Sequence, residues 1–167
     1  TAASKIETGP YILRNRYNLA LCLLNSHKEN EARHQIDFLL ARQKNNPQFL
    51  AVKGFLVFRQ GKSDLALHYL QMGLKQNPHD KNTLITLAMV LSSKGFHERA
   101  AWFLNIAKKR YPDNIVIYLA LLQNALQSQN TLRSNEYLYE ITNRFQMDYI
   151  QYFFTKHANG YHYIDNT

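Results

Sequence analysis

Apolar residues recur three and four positions apart along most of the chain, as one face of a helix requires, and the segments marked in this way come in pairs. Between residues 81 and 114, Leu84, Leu87, Ala88 and Leu91 form one such face, and Ala100, Phe103, Leu104 and Ala107 form a second. Ser93-Lys94-Gly95 separates the two, and Pro112 with Asp113-Asn114 ends the second segment and opens the next. The spacing predicts helix, short turn, helix.

The same pattern is written again 34 residues earlier. Gly54 falls on Ala88, Val57 on Leu91, Gly61 on Gly95, Ala66 on Ala100, Leu70 on Leu104, Gly73 on Ala107 and Pro78 on Pro112. One step further back, Leu19-Ala20, Leu23, Ala32, Ile36 and Leu39 keep the frame, with Ser26-His27-Lys28 as a turn without Gly. Going forward, Leu121-Leu122, Ala125, Ser134, Leu138 and Ile141 continue it around the turn Gln129-Asn130. Four units are predicted, at 13–46, 47–80, 81–114 and 115–148, preceded by an extension over 1–12. The small residues set the geometry, because two helices approach closely only where neither projects a long side chain. Gly54 and Ala88 are therefore expected to face Ala66 and Ala100. A stack of repeats exposes an apolar face at each end, so the aromatic-rich Tyr149-Ile150-Gln151-Tyr152-Phe153-Phe154-Thr155-Lys156-His157 is expected to be a capping helix or the first helix of a fifth unit, with an irregular tail to Thr167.

Units of this length, with a turn Gly, a following Ala, a bulky apolar residue and a terminal Pro, resemble the tetratricopeptide repeat (TPR). The resemblance rests on Arg16-Tyr17-Asn18-Leu19-Ala20, on Gln60-Gly61-Lys62-Ser63-Asp64-Leu65-Ala66 and on Lys94-Gly95-Phe96-His97-Glu98-Arg99-Ala100, and it covers roughly 13–148. Lys53 departs from it, standing where the family usually carries Leu; either the helix is rotated there or the side chain reaches out to water. The resemblance implies an all-α, right-handed superhelical solenoid whose first helices line a concave groove that holds a peptide.

Carried over unit by unit, the groove positions are Arg14, Tyr17, Leu21, Leu24 and Asn25; Gln48, Ala51, Phe55, Phe58 and Arg59; Asn82, Ile85, Met89, Ser92 and Ser93; and Val116, Leu119, Gln123, Leu126 and Gln127. Tyr17, Leu21, Phe55, Phe58, Ile85, Met89 and Leu119 are expected to make a large exposed apolar patch, the mark of a binding site. Arg14, Arg59 and Lys53 at its edge favour a partner with acidic residues beside apolar anchors. The family's carboxylate clamp needs Lys and Asn where the first unit has Tyr17 and Leu21, so an apolar or amphipathic segment fits better.

The chain of 167 residues carries a net charge of +8, unevenly placed: residues 1–110 hold 17 Lys/Arg and 7 Asp/Glu, and residues 111–167 hold 3 and 5. Such a field draws acidic partners, nucleic acid or an anionic surface without choosing among them. Lys108-Lys109-Arg110-Tyr111 is the densest basic run, at a place where a helix C-terminus attracts cations anyway. Helical-repeat RNA readers repeat a polar base-reading column, which does not recur here.

Candidate chemistry is sparse. The seven His form no compact ligand set, Cys22 stands alone in an apolar helix and is expected to be a buried structural thiol, and the acidic residues are mostly single and placed at turns. No catalytic, metal or cofactor site is expected. No apolar run approaches the ~18–20 residues of a membrane span, and the first dozen residues lack the pattern of a secretory signal. A first residue of Thr is expected of a piece of a longer protein or a processed form, so the compartment stays open between cytoplasm and periplasm. The sequence therefore points to a non-enzymatic module that binds a protein segment in its groove, as scaffold or adaptor in a larger assembly. Two alternatives stay open: a docking or regulatory domain acting in cis on an enzyme or membrane protein, and a nucleic-acid-binding helical repeat.

Overall fold

A computed structural model describes residues 9–145. Among the described residues there are eight helices: α1 (Pro10–Asn25), α2 (Glu29–Arg42), α3 (Pro47–Arg59), α4 (Ser63–Gln76), α5 (Lys81–Ser93), α6 (His97–Arg110), α7 (Ile115–Gln127) and α8 (Thr131–Arg144). The even-numbered helices begin at Glu29, Ser63, His97 and Thr131, so the 34-residue frame of the sequence is the frame of the fold. The segment Tyr149–His157 lies outside the described residues.

Short polar side chains start α3, α5 and α7 by taking the backbone N–H groups that a first turn leaves without partners. Asn46 Oδ1 accepts from Gln48 and Phe49, Asp80 Oδ2 from Thr83, and Asn114 Oδ1 from Val116. These three caps are again 34 residues apart. The same helices end in a left-handed residue: His27, Gly61, Gly95 and Gln129 have φ of 58°, 78°, 82° and 55°. In each turn the next N–H reaches back to the helix, from Lys28 to Leu23, Lys62 to Val57, Phe96 to Leu91 and Asn130 to Ala125. This six-residue closure satisfies carbonyls the helix leaves free and reverses the chain into the second helix.

The described residues fall into two compact units, α1–α4 and α5–α8, dividing between Gln76 and Asn77. In the first unit α1 packs on α2, α2 on α3 and α3 on α4. The expected close approach is present: a Cβ on Gly54 would lie 2.8 Å from Leu70 Cγ and 3.4 Å from the Ala66 carbonyl oxygen. Ala32, Ala66 and Ala100 are wholly buried at the equivalent place of three second helices. Lys53 lies mostly buried along its stem, and its ammonium meets the carboxylate of Asp37 on α2 rather than water alone. In the second unit α5 packs on α6 and α7, and α7 on α6 and α8. Its far end is built on Ile115, Tyr118, Leu119 and Ile141, with Val116, Leu122 and Phe145 against them. Lys108 pairs with Glu140, and Arg133 with Glu98, tying α6 to α8.

Cys22 is exposed, contrary to the expectation of a buried thiol. Its register equivalents Leu56, Val90 and Asn124 are buried; within the units, α3 and α7, which carry Leu56 and Asn124, pack on the preceding helix pair. No described pair precedes α1. Leu19 is exposed for the same reason, although Leu87 and Leu121 at its register position are buried. On α8, Leu138 is 49% exposed where Ile36, Leu70 and Leu104 are at or near zero.

Candidate protein-binding interface

The first helices α3, α5 and α7 are apolar over most of their circumference, and a helix of that kind is buried on most of its surface. Eight residues of α3 and ten of α5 are buried. α3 packs on α4 and α2, α5 on α6 and α7, and α7 on α8, α6 and α5, so only a narrow stripe of these helices stays open to solvent.

The structure corrects the expected exposed patch accordingly. Tyr17, Leu21, Leu24, Phe55, Ile85 and Leu119 are buried, and Phe58 and Met89 are half-buried. Tyr17 spends its ring on Phe49 of α3, centroid to centroid 5.6 Å. Asn82 is buried as well, Gln123 is half-buried, and Arg14, Gln48 and Arg59 are exposed. The equivalent positions Asn25, Arg59, Ser93 and Gln127 are exposed in all four pairs. The stripe is thus polar at its edge with an apolar floor beneath. In the first unit Arg14, Gln48 and Arg59 flank Phe58; in the second, Gln123 and Gln127 flank Met89 and Leu126, the last 60% exposed.

The electrostatics are also narrower than the sequence implies. Arg59 Nη2 is held 2.7 Å from Glu29 Oε1, and Lys53 by Asp37, so both cations are already paired. Arg14 keeps its charge towards solvent.

One feature of the second unit was not foreseen in the sequence. Ser92 Oγ lies 2.7 Å from Asn124 Oδ1, 2.6 Å from Gln127 Oε1 and 3.2 Å from His97 Nδ1, and the same ring nitrogen is 3.2 Å from Asn124 Oδ1. Asn124 Nδ2 donates to the His97 carbonyl oxygen at 3.0 Å. The hydroxyl has one proton to give, so Gln127 must turn its amide N–H towards it. Ser92, a His and an amide invite comparison with a nucleophilic triad. A proton relay needs two different nitrogens of the imidazole, whereas here Ser92 and Asn124 share Nδ1. The cluster knots α5, α6 and α7 together and does not activate a nucleophile. Its only sequence signal is a polar residue, Asn124, in the apolar run of α7. Among the described residues no three of His, Cys, Asp and Glu come together in a way that could hold a metal ion, and no helix is long and apolar enough to cross a membrane.

Among the described residues, Tyr137 of α8 is a group whose titration departs from the ordinary. Burial pushes its phenol above the usual 10.0, against the lowering effects of Arg133, Lys108 and a hydrogen bond with Asn105.

The sequence profile of the family described as the N-terminal TPR repeats region of Psidin matches residues 20–145. No curated protein matches the chain. Among solved structures, a tetratricopeptide repeat protein from Parabacteroides merdae is similar at a TM-score of 0.66 and 17% identity, over 90% of this chain and 59% of that one. YrrB, described as a TPR protein with an unusual peptide-binding site, is similar at 0.63 and 17%, over 90% of this chain and 77% of its own. MamA follows at 0.64 and 14%, over 90% and 87%. The chain thus spans about three fifths of the Parabacteroides protein. At such identities the likeness is one of fold, that of TPR solenoid proteins.

Proposed function

The chain belongs to the TPR family represented by the Psidin N-terminal repeat region, whose fold is a protein-interaction fold and generally not a catalytic one, and from that membership we propose that it holds a segment of another protein along the open stripe of its first helices. The carrying observation is the register. In both units the positions just beyond the helix core repeat as an exposed polar residue beside a partly open apolar one, Arg59 beside Phe58 and Gln127 beside Leu126. A polar rim around an apolar floor is the composition of a docking surface, where the floor contributes affinity and the rim direction. The similarity of fold to YrrB, a protein with a peptide-binding site of its own, supports this reading.

The segment bound is apolar or amphipathic, entering as a helix or an extended chain. Its acidic content is a finer matter, and it rests on Arg14, since Arg59 and Lys53 already have carboxylate partners. The working role is that of a scaffold or adaptor. Affinity capture under nuclease treatment tests the proposal, comparing the wild type with an Arg14→Glu/Gln48→Glu variant and with Leu126→Asp. A protein retained by the wild type, indifferent to nuclease and weakened by these exposed substitutions is the expected result. Capture lost on nuclease treatment, with a steep dependence on salt, contradicts it, because that is the behaviour of phosphate binding.

A further inference from the structure

The outer face of α6 carries a feature that the first-helix stripe does not use. Trp102, the single tryptophan of the chain, is 60% exposed. At helical spacing it lies in one row with Glu98, Arg99, Ile106 and Lys109, because steps of three, four and seven residues return to the same side, and Arg110, four past Ile106, flanks that row. Ala100, Leu104 and Ala107, on the opposite side, are buried, which fixes the row as outward-facing. Phe96, 46% exposed, stands at the start of the helix under the Arg99 guanidinium, 5.9 Å from its ring centroid. Trp102 also turns edge-on against Phe103 at 4.7 Å, which holds the indole in place.

The charges around it are unbalanced. Glu98, in the same row, is paired with Arg133. Lys109 and Arg110 are exposed and make no ion pair with any described residue. The other second helices do not repeat the pattern: where α6 has Trp102, α2 has His34, α4 has His68 and α8 has Glu136.

We propose that this face of α6 docks on an anionic lipid surface, with Trp102 and Phe96 at the level of the headgroups and Arg99, Lys109 and Arg110 against lipid phosphates. An exposed indole with basic residues along the same helix face is what interfacial binding requires. The row lies along the outside of one helix, so it offers no pocket for a partner's side chain, and its two exposed aromatics, Trp102 and Phe96, stand six residues apart where single-stranded RNA needs a series of stacking platforms. The charge complementarity is with a surface of phosphates. This surface is separate from the stripe on the first helices, so either proposal can fail without the other.

Trp102 is its own reporter. The intact chain would be titrated with vesicles of phosphatidylcholine alone and with vesicles containing 30% phosphatidylglycerol, followed by indole emission and by co-sedimentation. Emission moving to shorter wavelength with the anionic vesicles only, together with sedimentation, is the expected result. Lys109→Glu/Arg110→Glu, checked for unchanged helicity by circular dichroism, should weaken partition by more than twenty-fold. Each cation near such a surface contributes about fivefold, the equivalent of ~1 kcal/mol. The proposal is overturned if the emission is unmoved by either vesicle, if the protein sediments while Trp102 stays in water, or if the charge-reversed variant binds as well as the wild type. It is also overturned if poly-uridylate shifts the emission as much as the vesicles do.

Discussion

At the residue scale, His27 and Gln129 occupy a conformation that Gly61 and Gly95 adopt without strain. A side chain crowds its own carbonyl at positive φ, so the first and fourth turns are less stable than the middle two. Replacing either residue with Gly is expected to raise the unfolding free energy by about 0.5–1 kcal/mol, and Gly61→Ala or Gly95→Ala to lower it by a similar amount, as read by urea titration. Asp80 does more than cap α5: Oδ2 accepts from both the Thr83 N–H and the Thr83 hydroxyl, and Thr83 is wholly buried. Asp80→Ala should therefore cost about 2–3 kcal/mol, the cap plus a stranded hydroxyl, whereas Asn114→Ala should cost about 1. Tyr137 gives a pH signature. Its folded pKa lies above the unfolded value, so its contribution is complete below pH 10 and is lost as pH rises through the folded value. Tyr137→Phe should flatten the alkaline limb of the stability profile and leave neutral stability little changed.

At the scale of elements, the contact between first and second helices is set by what is missing from it. Gly54 sits against Leu70 so closely that a methyl group has no room, and Ala66 and Ala100 have no exposed surface at all. Ala66→Leu and Ala100→Leu should each cost about 1–3 kcal/mol by overpacking. Gly54→Ala should be destabilising in spite of the better helix propensity of Ala, because Leu70 Cγ must move. A gain in stability for any of the three would show that the pairs approach differently.

The turns and helix pairing were legible in the sequence because each depends on residues inside a single 34-residue unit. Gly95, Ala100 and Pro112 signal the same local geometry wherever they recur. Burial of the first helices was not legible to the same degree. Phe55 and Ile85 look like groove residues within their own units, but their burial also depends on the neighbouring pair, and no local pattern records that neighbour. Cys22 shows the same limit in the opposite direction: its unit predicts burial, and its position in the first described pair exposes it.

At the scale of the whole molecule, the excess of positive charge is real and a part of it is locally engaged. Arg59, Lys53, Lys108 and Arg133 each meet a carboxylate, whereas Arg14 on the first-helix stripe and Lys109 and Arg110 on the outside of α6 are among the exposed cations that make no ion pair with a described residue. The sequence composition shows the sum of these charges and not their division between faces. The interaction role follows from the repeat and its family; the proposal that the partner lies on the first helices rests on which positions stay open.

The most direct test of that claim is site-specific photo-crosslinking in the source cell, with benzoylphenylalanine at Gln48 and Gln127 on the first helices and, as a contrast, at His68 and Asn135 on the second. All four positions are exposed, and because Gln127 also bonds Ser92, the helicity of that variant is checked by circular dichroism. Protein adducts from Gln48 and Gln127, absent from His68 and Asn135, are the predicted result. Adducts confined to the second helices would contradict the account and move the partner to the opposite face.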